Sequence, residues 1–311
     1  MHPRPPPDGF DHRALLFHDA DDYLQGVLRF IAPGLEAGEP VAAAVPGPHL
    51  QLLRERLDGA GSDVALFDME QLGRNPARII PAVQEMVDAH HGERLHYVSE
   101  PIWPGRSAAE VREATRHEAL VNLAWADASL RVLCPYDVCG LDATVIDDAR
   151  RTHLSVIDGD RELRGTARTD YVPPACCEAR LPEPPAPAPA VSFDSGELAR
   201  LRRLVAEQAA AAGLAEGRAD ELVLAVNEIA TNSIRHAGGC GELRIWHAGS
   251  RVTCEIRDRG HIADPLAGRR MPAIRAPGGR GLWIANQLCD LVELRTSSRS
   301  GTTIRLHASA G

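Results

Sequence analysis

The sequence predicts two domains: an N-terminal doubly wound α/β domain with a parallel sheet, and a C-terminal α+β sandwich. Three observations support this. Short apolar runs alternate with helical patterns in the first half, a proline-rich stretch divides the chain, and the second half places helices before paired strands. We place the first domain at 1–175, a linker at 176–192 and the second domain at 193–311. A chain of 311 residues is long enough to bury two cores.

The strands of the first domain are predicted from short apolar runs at 14–17, 41–45, 64–67, 95–98 and 130–133. Helical patterns lie between them at 21–35, 49–57, 76–89 and 108–123. Alternating strands and helices favour a parallel sheet that helices cover on both faces.

Polar residues follow several of these runs, at the sheet edge where α/β domains bind ligands. They are His18, Asp19, Glu100, Trp103, Cys134, Tyr136 and Asp137. Two interpretations stay open: these residues line a pocket, or they cap helices and strand ends. No glycine-rich phosphate loop follows the first run, so the usual signal for nucleotide binding is missing from this domain.

The boundary between the domains is marked by seven prolines from Pro173 to Pro189. Proline fixes φ and has no N–H, so this stretch forms neither a helix nor an inner strand. We predict an extended, semi-rigid linker.

The second domain is predicted to contain helices at 196–212, 218–236 and 281–290 and strands at 242–247, 251–257, 291–296 and 302–307. Helices on one face of a mixed or antiparallel sheet make an α+β sandwich.

Within the second helix, apolar residues recur at helical spacing, so one face lies in a core. Glu228, Asn232 and His236 are four residues apart and stack along a single face. A carboxylate, a carboxamide and an imidazole beside an apolar stripe suit a site that holds a metal and a phosphate chain.

Three short motifs follow this helix. Asp258 ends a strand and is followed closely by Gly260, so a carboxylate lies where backbone can approach a flat ligand. Gly279-Arg280-Gly281 opens a helix whose free N–H groups suit an anion. Gly301-Thr302-Thr303 begins a strand with two hydroxyls that suit a base or a phosphate.

Composition excludes several classes of function. The net charge of −9 argues against nucleic acid as a main partner. The polar, proline-rich N-terminus and the lack of a long apolar run predict a cytoplasmic protein without a membrane span.

The seven cysteines show no paired CxxC motifs, so they are expected to be buried or surface thiols in a reducing compartment. A redox or metal role for Cys134, Cys139, Cys176 or Cys177 is the alternative.

The ordered motifs Glu228-x-x-x-Asn232, Asp258-x-Gly260, Gly279-x-Gly281 and Gly301-Thr302-Thr303 resemble the N-box and glycine boxes of the GHKL ATPase superfamily. The resemblance covers 193–311. Within the superfamily, residues 227–237 are most similar to the anti-sigma factor serine kinases.

This resemblance implies ATP and Mg²⁺ as cofactors. Asn232 would hold the Mg²⁺, and Glu228 would be the general base for a serine hydroxyl of a partner protein. Asp258 and Gly260 would belong to the adenine site, with Asp258 accepting a hydrogen bond from the adenine amino group.

The remaining motif residues are implied in the same way. Gly279, Arg280 and Gly281 would cradle the phosphates, and Thr302 or Thr303 would complete the adenine pocket. His236 either reaches a phosphate or is a histidine favoured by the dipole at a helix C-terminus.

One position departs from the family pattern, because Ile262 stands where the first glycine box usually has a second glycine. A β-branched residue rarely adopts a positive φ. We therefore expect an altered loop over the adenine, with reduced affinity.

The first domain resembles the MEDS sensory domain (methanogen/methylotroph, DcmR-type). The resemblance rests on short motifs that include Gly38-Glu39-Pro40-Val41, Glu100-Pro101-Ile102-Trp103, His117-Glu118-Ala119-Leu120 and Cys134-Pro135-Tyr136-Asp137. It implies that this domain receives a signal, whose ligand the sequence does not identify.

Three functions are consistent with these features. The first is an ATP-dependent protein-serine kinase that phosphorylates an anti-anti-sigma (STAS) partner and sequesters a sigma factor. The second is an ATP-binding anti-sigma switch with little phosphoryl transfer, and the third is a sensor histidine kinase. The third requires a helical hairpin with a phosphoacceptor histidine before the ATPase domain, where this chain has its proline-rich linker. Homodimerisation is implied by the resemblance alone.

Overall fold

A computed structural model describes residues 9–57, 63–90, 92–170, 172, 178–185, 188–272 and 279–310. The chain divides into two compact units, Met1–Val172 and Pro173–Gly311. Each unit has its own sheet, so each is described by itself.

Unit 1 is built on a seven-stranded mixed sheet with the order β3-β2-β4-β5-β1-β6-β7. The strands are β1 Asp11–Phe17, β2 Val41–Val45, β3 Val64–Asp68, β4 Leu95–Ser99, β5 Leu130–Asp137, β6 Ser155–Asp158 and β7 Arg161–Arg164. Neighbouring strands are parallel except for β6 and β7, which pair antiparallel.

Six α-helices connect these strands: α1 Ala20–Ala37, α2 Gly47–Leu57, α3 Met69–Leu72, α4 Ile79–Ala89, α5 Ala108–Ala124 and α6 Ala143–Thr152. The predicted alternation of strands and helices is confirmed. The prediction of a purely parallel sheet is wrong at the edge, because the hairpin β6–β7 adds an antiparallel strand. All four residues of β7 are exposed, so no apolar run marked it.

The fifth strand is longer than predicted and continues to Asp137 through Pro135. Two residues that we placed after the strand, Cys134 and Tyr136, therefore lie within it and are buried. They do not belong to the sheet edge where a ligand would bind.

Unit 2 is built on a five-stranded antiparallel sheet with the order β11-β12-β10-β9-β8. Its strands are β8 Ala190–Asp194, β9 Cys240–Ala248, β10 Arg251–Asp258, β11 Leu291–Ser297 and β12 Gly301–Ser309. Its helices are α7 Leu198–Ala211, α8 Glu216–His236 and α9 Arg280–Leu288. The helices share one apolar core with one face of the sheet. The α+β architecture is thus as predicted, and β8 is an additional edge strand that begins before residue 193.

The other face of this sheet carries polar side chains that are nevertheless buried. Arg305 Nε donates to Glu255 Oε2 at 2.7 Å, and the backbone oxygen of Pro182 accepts from the same guanidinium. Glu183 lies 3.6 Å from Arg257. This part of the predicted linker is therefore held against the strands by charged contacts.

Among the described residues, none of the helices combines the length and the apolar character that crossing a membrane requires.

Candidate functional site

The N-terminus of α9 packs against α8 at the position of Glu228 and Asn232. Both side chains are half-buried, whereas Gly281 is buried between the two helices. A Cβ atom on Gly281 would lie 2.9 Å from Asn232 Nδ2 and 3.0 Å from Glu228 Oε2. Glycine at this position therefore leaves the carboxylate and the carboxamide directly beside the first turn of α9.

This close approach predicts the effect of Gly281→Ala. The added methyl group must displace the ends of two flexible side chains, so the change acts on the site more than on the fold. We expect Mg-ATP affinity to fall on the order of tenfold in isothermal titration calorimetry, because misplaced ligand groups bind more weakly. Gly217→Ala is the matched control, since Gly217 also lies in the first turn of a helix and a Cβ there meets no atom within 4 Å. Equal affinity in the two variants would contradict the packing described.

Asp258, the last residue of β10, lies across from α8 and is held by two hydrogen bonds. The hydroxyl of Ser233 donates to Oδ2 at 2.6 Å, and the backbone N–H of Gly260 donates to Oδ1 at 2.8 Å. A carboxylate has about four acceptor positions, so acceptor capacity remains for a ligand N–H group. Ser233 was not among the predicted site residues, although its place directly after Asn232 on α8 was a usable signal.

A chain of hydroxyl groups fixes the loop that follows Asp258. Thr302 Oγ1 donates to the carbonyl of Gly260 at 2.9 Å and lies 2.8 Å from Thr296 Oγ1. The N–H of Ile262 donates to Thr296 Oγ1 at 3.0 Å. The bonds to Gly260 and from Ile262 tie the loop to the hairpin β11–β12, and the bond between the two threonines joins its strands. Thr296 was not among the predicted residues.

Ile262 adapts to this loop without backbone strain. No described residue other than glycine has a positive φ, so Ile262 does not take the conformation that a glycine would permit. Its side chain packs against the apolar core of the unit. The bond that position 262 makes to Thr296 uses its backbone N–H, so the anchoring of this loop does not depend on a glycine there.

Two glycines are required by the backbone around this site. Gly301 has a φ of 78°, and a Cβ there would lie 2.1 Å from the carbonyl oxygen of Asp258. Gly279 has a φ of 84° and precedes α9, where no side chain caps the helix. The N-terminus of α9, the positive end of its helix dipole, therefore lies beside Asn232 and suits an anion.

Not every predicted residue lies in this cluster. Thr303 is directly opposite Arg257 and Arg295 in the sheet, and it faces away from Thr302 because side chains alternate along a strand. His236 is exposed at the last residue of α8, and Arg280 is exposed at the start of α9. Pro277 and Gly278, which directly precede the predicted phosphate motif in the sequence, lie outside the described residues.

The side chains of the cluster fit Mg²⁺ and ATP. Asn232 offers a carboxamide oxygen, a ligand that hard cations prefer. The N-terminus of α9 offers N–H groups to phosphate, and Asp258 offers acceptors to an amino group. Glu228 lies beside Asn232 with a carboxylate that can accept a proton.

A second polar cluster lies at the strand ends of unit 1. Glu100, directly after β4, is buried and accepts from His49 Nδ1 at 2.9 Å, and Tyr23 stacks on His49 with ring centroids 4.0 Å apart. Burial raises the pKa of Glu100 to about 7, against the lowering effect of His49.

Two other residues predicted at this edge, Asp19 and Asp137, accept hydrogen bonds from nearby backbone N–H groups. Asp19 caps α1 by accepting from the N–H of Asp22, and Asp137 accepts from the N–H groups of Cys139 and Gly140. His18 is exposed, and Trp103 is stacked by Arg106.

The raised pKa of Glu100 predicts a pH dependence of stability. The pKa of Glu100 is about 7 in the folded chain and 4.5 in the unfolded chain, so the unfolded chain releases this proton first as the pH rises. The stabilising contribution of Glu100 to the free energy of unfolding is therefore complete below about pH 4.5 and is lost by the time the pH has risen through 7. In the wild-type chain we expect the free energy of unfolding to fall on the order of 3 kcal/mol between pH 4.5 and 8 through this group, and Glu100→Gln should abolish that fall. Hydrogen exchange of the amides in β4 measures this. Glu36→Gln, an exposed change on α1, should leave the pH profile as it is. An unchanged profile in the Glu100 variant would show that this carboxyl group does not titrate near neutrality.

Comparisons with protein families agree with these two units. Residues 11–154 match MEDS, the methanogen/methylotroph, DcmR sensory domain, and residues 191–308 match the histidine kinase-like ATPase domain. Comparison with curated proteins found no match. Both predicted domain types are confirmed, and the ATPase domain implies ATP binding with ATPase or phosphotransfer activity. The chain therefore consists of a MEDS domain joined to a histidine kinase-like ATPase domain of the GHKL type.

Proposed function

We propose that this protein is a cytoplasmic, ATP-dependent anti-sigma regulatory factor that phosphorylates a serine of an anti-anti-sigma (STAS) partner. In the same proposal it sequesters a sigma factor, and the MEDS domain controls both activities. One observation carries the proposal: Glu228 and Asn232 lie side by side at the N-terminus of α9, so a proton acceptor adjoins the groups suited to metal and phosphate. The similarity of residues 227–237 to the anti-sigma factor serine kinases indicates the class of partner.

The chain's own groups have separate tasks in this reaction. When bound, ATP would supply the phosphoryl group and leave as ADP, and Mg²⁺ would offset the negative charge of the phosphates. Asp258, held by Ser233 and Gly260, orients the adenine ring of ATP. Asn232 and the first turn of α9 hold the metal and the phosphates, and Glu228 accepts the proton from the partner's serine hydroxyl.

A second candidate function is an ATP-binding switch that binds its partners without transferring phosphate. Ile262 is the observation that favours it, because the loop beside Asp258 differs from the glycine-box pattern. A sensor histidine kinase has less support, since residues 178–185 contain prolines where that class has a helical hairpin.

One assay distinguishes these functions. The full chain is incubated with γ-labelled ATP, Mg²⁺ and a purified STAS protein from the same genome, and phosphoamino acids are analysed. Acid-stable phosphoserine on the STAS protein is the expected result. ATP binding without label on the partner would overturn the kinase proposal in favour of the switch, and acid-labile label on this chain would indicate a histidine kinase.

A further inference from the structure

Four buried side chains of unit 1 point their ligand-type atoms at one position. They are His12 on β1, Glu118 on α5, Cys134 on β5 and His153 directly after α6, and these atoms all lie within 4.8 Å of one another. Glu118 Oε2 lies 3.0 Å from His12 Nε2, 3.3 Å from His153 Nε2 and 3.5 Å from Cys134 Sγ. The thiol sulfur lies 3.4 Å from His12 Nε2.

The hydrogen bonds of the two imidazoles show which nitrogen carries the proton. His153 Nδ1 lies 2.8 Å from the carbonyl oxygen of Ala149, so Nδ1 is the donor. His12 Nδ1 lies 3.1 Å from Asn122 Oδ1, whose orientation is fixed because Asn122 Nδ2 donates to the carbonyl of Thr152 at 2.7 Å. In the neutral imidazoles, the form that ligates a metal, both Nε2 atoms then present a lone pair to the carboxylate of Glu118.

This arrangement leaves several acceptors facing one another in a water-excluded space. His153 Nε2 and Glu118 Oε1 make no hydrogen bond within the described part of the chain. Lone pairs that meet at these distances without enough protons are costly when buried, unless a cation lies between them.

We propose that His12, Glu118, Cys134 and His153 bind one Zn²⁺ ion. Zinc takes nitrogen, sulfur and carboxylate ligands tetrahedrally at about 2.0–2.3 Å, which places neighbouring ligand atoms roughly 3.3–3.8 Å apart. Four of the six separations between the ligand atoms are 3.0 to 3.5 Å, at or just below this range, and all six are within 4.8 Å. A carboxylate and a thiolate also balance the charge of the ion, which buried charges require.

The surroundings of the cluster match those of a metal centre. Histidine ligands generally donate their second N–H to a carbonyl or carboxylate oxygen, as His153 does to Ala149 and His12 does to the side-chain carbonyl of Asn122. Four protein ligands leave no position open for a substrate, so the site is structural. It joins β1, β5, α5 and the end of α6, elements that are far apart in the sequence.

Metal analysis of the full chain tests the proposal. The chain, purified without an affinity metal and dialysed, is expected to contain about one zinc per molecule. Cys134→Ser and His153→Gln should lose most of this metal, whereas Cys139→Ser should retain it, because Cys139 is exposed on the turn after β5. Zinc that remains in both ligand variants, or a wild-type chain that contains no metal after expression with added zinc, would overturn the proposal.

Cobalt substitution keeps the test decisive even where a ligand variant fails to fold. The wild-type chain refolded with Co²⁺ is expected to show a thiolate-to-metal charge-transfer band and the visible absorption of a tetrahedral site. A chelator should abolish both signals and lower the melting temperature of unit 1. Octahedral cobalt spectra without a thiolate band would exclude Cys134 as a ligand and refute the site.

Discussion

Asp258→Asn is expected to weaken ATP binding about 10- to 100-fold, the cost of a lost hydrogen bond to a charged group. The asparagine amide keeps a single acceptor oxygen, while Ser233 and Gly260 both donate to this side chain. The amide nitrogen must then face one of these donors. The Ser233 hydroxyl can turn its one proton to the carbonyl of Ile229, 3.2 Å away, and accept from the amide nitrogen, so the single amide oxygen stays with the N–H of Gly260. Little acceptor capacity remains for an adenine amino group.

Isothermal titration with Mg-ATP measures this loss. Asp220→Asn is the matched control, because it makes the same change of charge at an exposed position on α8. A thermal shift with saturating ATP gives an independent measurement, since a ligand stabilises only the state that binds it. If Asp258→Asn and Asp220→Asn bind ATP equally well, Asp258 does not contact the nucleotide.

Glu228→Gln is expected to reduce phosphoryl transfer to the STAS partner about 100- to 10,000-fold, the range for loss of a general base. Glutamine has nearly the same size and fits the same contact with Gly281, but its amide does not accept the proton of a serine hydroxyl. ATP affinity should change by about twofold at most, because the proposed nucleotide contacts lie on Asn232, Asp258 and the first turn of α9.

Single-turnover transfer from labelled ATP separates these two effects. Glu207→Gln, an exposed change on α7, controls for the loss of one negative charge. Transfer that persists at the wild-type rate in Glu228→Gln would remove this residue from the reaction. A parallel loss of ATP affinity and transfer would assign Glu228 to binding instead of proton acceptance.

The central elements of both domains were predictable because their apolar residues follow a clear period. The pattern in α8 predicted its length closely, and the apolar runs predicted β2, β3 and β4. The helix α6 was not predicted either, and the missed strands β6, β7 and β8 have only four or five residues each. Strand β7 is exposed throughout, and β8 directly follows the proline-rich segment with only Phe193 buried. Such edge strands are fixed by their neighbours in the sheet and leave little local signal.

The two candidate sites differ in how far the sequence revealed them. In unit 2, Glu228 and Asn232 share one helix and the glycine motifs follow in order, so local spacing was informative. In unit 1, the proposed zinc ligands extend from His12 to His153 on four separate elements. Only Cys134 was considered as a ligand in advance, because no spacing rule joins residues that meet through the fold alone.

The position of β12 has a consequence for synthesis of the protein on the ribosome. Thr302 secures the loop after Asp258, and Gly301 lies against the backbone of Asp258, so this strand completes the nucleotide site. It is also the last strand of unit 2 to be translated, whereas every strand of unit 1 precedes residue 165. Domains fold as units during translation, from the N-terminus onwards. A nascent chain therefore completes its MEDS domain well before β12 can complete the candidate nucleotide site.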